Sequence, residues 1–382
     1  MPNRAKLVVK ERNPVASVQE FLKALLKGGH VAAVLVAEHL PMKNAVMPTL
    51  VTDPEKLELA DPLAPAFPLN AARVLSKLTR KPLDVPIAAV MRPCEIRAFI
   101  ELVKLKQGTM ENVLLIGMDC LGAFGNLDYA TYTASGNSVQ STLDFYEARL
   151  AGKPAGTTGV DISPACKSCE YPMAAAADLN IGFLGGDMME SLVLSSNTEK
   201  GDEFLGKLGL PAGDEPAGRR QTLDALVRER TAYRDKMFEE TSQATADVEK
   251  LMSYLGNCIN CYNCRVACPV CYCKECVFVT DVFDHEPAQY LKWATRRGVL
   301  KMPTDTVFYH MTRLAHMSTA CIGCGQCSNA CPNNIPVMEL FRTVAHATQR
   351  AFDYTPGMNP ADEPPLSTFR EMEFSEVTGG KD

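Results

Sequence analysis

The sequence predicts an α/β N-terminal half with a mainly parallel sheet, followed by a helical half rich in cysteine. Three observations carry that expectation. Short apolar runs of strand type alternate with stretches of helical period over the first third of the chain. Two copies of one cysteine pattern stand in the last third, at Cys258, Cys261, Cys264, Cys268, Pro269 and at Cys321, Cys324, Cys327, Cys331, Pro332. The 52 residues between Cys268 and Cys321 carry helical rather than strand signals. With 382 residues the chain has room for two or three domains.

In order, Ser17 and Glu20 read as a capping box. Val18, Phe21, Leu22, Leu25 and Leu26 then keep a helical period until Gly28-Gly29. The β-branched run 31–36 has the character of a buried strand. Stretch 53–68 is proline-rich and reads as loop, and 70–78 as helix. A strand 87–91, a helix 95–106, a turn at Gly108 and a strand 113–118 follow. That succession describes βαβ units and hence a parallel, helix-covered sheet. Short strands 179–184 and 192–194 flank Gly185-Gly186. Stretch 197–218 is a polar linker, and 219–255 one long helix. Its apolar stripe of Leu223, Leu226, Val227, Tyr233, Met237 and Phe238 points to packing support. Stretch 353–382 has four prolines, many charges and no apolar period, so it reads as a tail, disordered or laid over a partner. The expected domains are 1–196, a linker and long helix 197–250, a helical domain 251–352, and the tail 353–382.

The formal net charge of −6 argues against nucleic acid and against an anionic membrane surface, both of which reward basic patches. No apolar stretch approaches the roughly 20 residues of a membrane helix, and the charged start lacks the core of a secretory signal. Fifteen cysteines without an export signal point to metal ligation in a reducing, cytoplasmic compartment rather than to disulfides. Neither a Ser/His/Asp set nor paired catalytic carboxylates stand out, so no catalytic side chain is expected.

Both cysteine runs are C-x2-C-x2-C-x3-C-P, the bacterial ferredoxin pattern. Its first three thiolates hold one 4Fe-4S cube and its fourth reaches to the other. This assigns Cys258, Cys261, Cys264 and Cys331 to one cluster, and Cys321, Cys324, Cys327 and Cys268 to a second. Zinc is the plainer alternative, but it closes with four ligands and usually wants paired C-x2-C steps. Cys94 and Cys120 follow two parallel strands and should meet at the carboxyl edge of the sheet. With Cys166 and Cys169 they could hold a third cube, a zinc ion, or be unrelated buried thiols. Cys271, Cys273 and Cys276 remain, as ligands of another metal or as reduced thiols beside the first cluster. His310 and His316 precede the second run and read as hydrogen-bonded packing residues.

Stretch 250–350 resembles the α-helical ferredoxin domain of the heterodisulfide reductase small subunit and the succinate dehydrogenase iron–sulfur subunit. That resemblance implies two 4Fe-4S clusters passing single electrons. Arg92-Pro-Cys94-Glu-Ile, Ile116-Gly-Met-Asp-Cys120, Cys166-Lys-Ser-Cys169, the glycine loop from Asp178 to Gly186 and Thr198-Glu-Lys-Gly201 resemble the flavoprotein β subunits of coenzyme F-420-reducing hydrogenase and F-420-dependent formate dehydrogenase. The resemblance covers roughly 15–210. It implies FAD, a third cluster on Cys94, Cys120, Cys166 and Cys169, and flavin contact at Asp178, Gly182, Gly185 and Gly186. Gly185-Gly186 equally suits a tight turn needing positive φ. Met91-Arg92 and Ser195-Ser196 depart from the family pattern, its usual N-terminal cysteine motif is missing, and neither a G-x-G-x-x-G nor a P-loop occurs.

The resulting expectation is an α/β flavoprotein-like domain joined to an all-α two-cluster ferredoxin domain. Its expected role is electron transfer within an anaerobic oxidoreductase complex. Electrons would run between F-420 or NAD(P)H at the flavin and a formate dehydrogenase, hydrogenase or heterodisulfide-reductase-like partner. The alternatives are a flavin-free iron–sulfur wire and docking scaffold, and a zinc protein with an interaction role.

Overall fold

The computed structural model describes residues 3–41, 45–134, 136, 139–154, 159–273, 275–283, 285–300 and 305–367. Seven strands form one sheet: β1 (Arg4–Val8), β2 (Ala33–His39), β3 (Val46–Val51), β4 (Ile87–Met91), β5 (Val113–Met118), β6 (Leu179–Gly182) and β7 (Ser191–Ser196). Their order is β1-β7-β6-β5-β4-β2-β3. The central β6, β5, β4 and β2 are parallel. Antiparallel pairs close both sides, β3 on β2 and β7–β1 on β6. The two edge strands, β1 and β3, lie where the sequence pattern shows no strand. β1 buries only one of its five residues, and β3 contains Pro48, which an edge tolerates because the missing N–H faces away from the sheet.

Seven helices accompany the sheet: α1 (Pro14–Lys27), α2 (Ala72–Leu78), α3 (Pro93–Lys104), α4 (Asn126–Tyr132), α5 (Val139–Leu150), α6 (Pro164–Lys167) and α7 (Glu199–Lys207). The strands alternate between two cores. Val34, Val36, Val90 and Ile116 join Leu22 and Phe145 on one face. Leu35, Ala89, Met91 and Leu115 join Leu75 and Phe99 on the other. α1 starts a turn earlier than the capping box suggested: Asn13 accepts the Ala16 N–H at 3.0 Å, and Pro14 supplies the fixed φ of a first helical turn. Within the expected loop 53–68, Pro54–Leu59 forms a short 3-10 helix capped by Asp53.

From Arg219 onward every described element is helical: α8 (Arg219–Ala244), α9 (Val248–Tyr254), α10 (Asn263–Ala267), α11 (Pro287–Arg297), α12 (Thr306–Met317), α13 (Gln326–Asn329) and α14 (Val337–Ala351), with short 3-10 turns at 277–283. The single long helix expected over 219–255 is two, because Asp247 caps a new start by accepting the Lys250 N–H at 2.8 Å. The second sheet-face core continues into this half through Leu255, Tyr309, Ile322, Leu340 and Phe341, so one apolar body spans both halves.

The chain beyond α14 begins fastened rather than free. The buried Tyr354 hydroxyl meets the Glu101 carboxylate on α3 at 2.7 Å. Gly357 donates to the same carboxylate, and Pro356 accepts from Arg97. Residues 368–382 of the expected tail lie outside the described residues. Among the described residues no helix is long and apolar enough to cross a membrane.

Candidate metal centres

The two cysteine runs repeat in backbone as well as in sequence. Asn260 and Tyr262 have φ of 50° and 60°, and the equivalent Gly323 and Gly325 have 74° and 79°. This alternation of left-handed residues winds each loop tightly before its short helix, α10 or α13. Burial pushes the Cys258 thiol up, with Cys264, Cys261 and Cys331 as its neighbouring thiols. Burial also pushes Cys324 up to about 12, beside Cys268 and Cys321, and raises Cys327 beside Cys268, Cys324 and Cys321. Cys331 therefore lies with the first triplet and Cys268 with the second.

The strand-end set is assembled from four places. Cys94 opens α3 directly after β4, and Cys120 follows β5. Cys166 sits in α6, where its Sγ accepts the Ala123 N–H at 3.3 Å, and Cys169 follows one turn later. Burial raises Cys120 to about 11, and the neighbouring Cys166 thiol adds to the rise. Cys94, also raised by burial, has Cys324, Cys120 and Cys169 around it. The strand-end set thus adjoins the set that contains Cys324.

Buried cations accompany these thiols. On α12, Arg313 is 3% exposed and donates from Nη1 to Cys264 Sγ at 3.2 Å and from Nη2 to the Cys264 carbonyl at 3.3 Å. Tyr309 Oη stands 3.4 Å from the same sulfur, and His310 Nε2 stands 3.4 Å from Cys258 Sγ. Burial lowers His310 to about 4, which keeps it neutral. On α8, Arg230 donates to the carbonyls of Cys120 and Cys169 at 3.1 and 3.4 Å. A buried guanidinium is costly unless an anion offsets it. The groups that hold the Arg313 charge against burial are Cys264, Cys268, Tyr309 and Cys327, with no carboxylate among them. The donor set, twelve soft sulfurs in three fours with cations set against them, fits 4Fe-4S clusters. Among the described residues no three His, Cys, Asp or Glu side chains converge as one ion would require. Thiolates around an iron–sulfur cage stand further apart, each on its own iron.

The glycine loop is differently employed. Asp178 accepts from the Leu115 N–H and from Thr198 Oγ1, both at 2.8 Å, and pairs with Lys200 at 2.7 Å. Its carboxylate ties β5, β6 and α7 together. Gly185 has φ of 82°, and a Cβ there would stand 2.2 Å from the backbone nitrogen of Arg219. A Cβ on Gly182 would stand 2.9 Å from the Arg219 guanidinium, and one on Gly186 3.2 Å from Pro216. Arg219 itself makes a bidentate pair with the fully buried Asp119, at 2.5 and 2.8 Å. The start of α8 therefore packs directly on this loop, so that the Cβ side of Gly182, Gly185 and Gly186 is occupied by protein rather than open to a flavin.

Cys271 is half-buried beside Cys268 and pushed up to about 11 by burial; Cys273 is exposed and Cys276 half-buried. Tyr309, Arg313 and Arg230 were not singled out from the sequence. A signal existed: Tyr309, Arg313 and Met317 form an i, i+4, i+8 stripe, and Leu226, Arg230 and Met237 an i, i+4, i+11 stripe, each with one charge set among apolar residues.

Comparison with known proteins identifies two parts of the chain. Residues 253–335 match the family model of a 4Fe-4S dicluster domain. Residues 85–209 match the family model for the C terminus of the coenzyme F420 hydrogenase/dehydrogenase beta subunit. The chain is an oxidoreductase subunit that joins these two domains. Among curated relatives it is 27% identical over 346 residues to the F420-dependent formate dehydrogenase subunit beta of Methanocaldococcus jannaschii, covering 84% of this chain and 85% of that one. It is 26% identical over 381 residues to the F420-dependent formate dehydrogenase 1 subunit beta of Methanococcus maripaludis, covering 92% of each. Among solved structures it matches a chain of the F420-reducing [NiFe] hydrogenase complex of Methanosarcina barkeri at 14% identity and a TM-score of 0.45, over 65% of this chain and 94% of that one.

Proposed function

We propose that this chain is the iron–sulfur relay of an oxidoreductase complex. Its all-α C-terminal domain would act as a two-cluster ferredoxin module and its α/β domain would add a third centre. Cys258, Cys261, Cys264 and Cys331 would hold one 4Fe-4S cluster; Cys321, Cys324, Cys327 and Cys268 the second; and Cys94, Cys120, Cys166 and Cys169 the third. Each cluster, when bound, supplies a centre that takes up and releases one electron. The observation that carries this reading is the contiguity of the three thiol sets, with Cys94 of the third beside Cys324 of the second, and Arg313 set between Cys264 of the first and Cys268 of the second. The thiols of the second and third sets are half-buried, which limits the approach of water, and Arg313 and Arg230 offset the negative charge of the ligands. The first set opens outward, where Cys261 is exposed and the same run carries exposed Ile259 and Val266. A partner protein would cover that apolar rim. The names of the relatives favour a formate dehydrogenase partner, with hydrogenase or heterodisulfide-reductase-like subunits of the same class.

The filled glycine loop favours the flavin-free form of this function. No hydride step is assigned to Asp178, Gly182, Gly185 or Gly186, and F-420 or NAD(P)H would exchange hydride at a partner's flavin. Anaerobic purification with iron and flavin analysis tests both points. About twelve iron atoms per chain without FAD is the expected result. Stoichiometric FAD overturns the flavin-free form and returns hydride chemistry to this chain. Zinc in place of iron overturns the relay altogether.

A further inference from the structure

We propose that Arg313 is a shared counter-charge for both C-terminal thiol sets and holds their two reduction potentials up together. The inference rests on the iron–sulfur reading above and adds a determinant of potential to it. Helix α12 carries the guanidinium into the core on the Tyr309–Arg313–Met317 stripe, where it is 3% exposed. Its Nη1 reaches Cys264 Sγ of the first set, while Cys268 and Cys327 of the second set are close enough to act on its charge. The ring of Phe341 lies 4.6 Å from the guanidinium carbon and that of Tyr309 5.6 Å, closing the other sides against water. Among the described residues Nε has no hydrogen-bond partner, and the polar contacts of the side chain fall on the cysteine side.

Uptake of one electron, from dithionite in the test below, places one further negative charge beside this fixed positive one. In a buried setting that interaction is weakly screened. Reduction is therefore favoured at both C-terminal sets relative to a neutral side chain at position 313. The strand-end set is an internal control, because its nearest hydrogen-bonded arginine on α8, Arg230, bonds carbonyl oxygens, whereas Arg313 bonds a sulfur. Lysine is not equivalent: its single ammonium cannot fork across sulfur and carbonyl as the planar guanidinium does.

The test is a dithionite titration of the anaerobic full-length protein, followed by electron paramagnetic resonance, with iron analysis of each sample. Signals are assigned from the loss seen in Cys264→Ala and Cys166→Ala. Arg313→Gln is expected to keep its iron and to move both C-terminal midpoint potentials to more negative values, leaving the strand-end potential in place. Unmoved C-terminal potentials, or an equal shift of all three, overturn the proposal. Should Arg313→Gln lose iron, Arg313→Lys decides. It keeps the charge but not the fork, so both C-terminal potentials are expected to stay close to wild type, with at most a small negative shift at the set containing Cys264, and a large negative shift of either set despite the retained charge overturns the proposal. Wild-type protein without iron removes the relay reading itself, whereas full iron with unmoved potentials removes only the role given to Arg313.

Discussion

The two cysteine runs share one spacing and one backbone winding, yet they sit in opposite surroundings. The second is wedged between the α/β half and α14: a Cβ on Gly325 would stand 2.4 Å from Ala165 Cβ, and one on Gly323 2.9 Å from the Arg342 side chain. Gln326 and Asn329 both donate to the Phe67 carbonyl, at 2.9 and 3.0 Å. The first run faces outward, with Ile259 59% and Val266 53% exposed. At its left-handed positions it carries Asn260 and Tyr262, whose side chains reach Asp305 ahead of α12. The ligand pattern fixes how sulfur is presented, and the neighbours fix which residues can occupy the turns between ligands. Glycine is required only where another layer presses on the loop.

The largest expected contrast comes from Arg342, which donates to Ser168 at 2.6 Å and pairs with Glu170. Arg342→Met should cost about 3 kcal/mol by leaving that carboxylate with Arg234 alone, read as a drop in the denaturation midpoint, while the first run keeps its iron. The pairing also sets an acid limb. Burial raises Glu170, but Arg342 and Arg234 outweigh it and hold the folded-state value below the ordinary 4.5. The resulting stability is complete above the unfolded value and drains as pH falls through the folded one. Wild type should lose stability more steeply than Arg342→Met over that interval, and equal acid limbs would contradict the assignment.

Next in size is Gly325→Ala, expected to cost about 2–3 kcal/mol from positive φ and the Ala165 contact. Tyr262→Gly, at the equivalent turn of the first run, should stay within about 1 kcal/mol, and thermal unfolding of the two variants compares them directly. Gln326→Ala removes one of two donors to the Phe67 carbonyl and should cost about 1 kcal/mol by the same measurement. The smallest stability effect is expected for Val266→Ser, within about 0.5 kcal/mol. Weaker co-purification of that variant with a partner protein would widen the contrast between an inner and an outer run.

The parallel centre of the sheet was legible because its strands are buried on both faces: 87–91 and 113–118 match β4 and β5 to the residue. The edge strands were not, since half-exposed strands carry mixed residues and Pro48 argued against one of them. The cysteine spacing identified candidate ligands from the sequence alone. What it could not supply were Arg313, Tyr309 and Arg230, because their meaning depends on what faces them across a helix packing. The glycine loop is the clearest such case. The resemblance marks Asp178 and Gly185 for flavin contact, whereas here Asp178 ties β5 to α7 and Gly185, at positive φ, lies under the start of α8, contacts that join residues far apart in the chain.

The outward face of Cys261 has a practical corollary. Molecular oxygen attacks where solvent can reach sulfur and iron, so air should strip this tetrad while the wedged one beside Phe67 endures. If the three clusters proposed above are bound, a preparation handled carelessly would then be brown, well folded and short of a third of its metal.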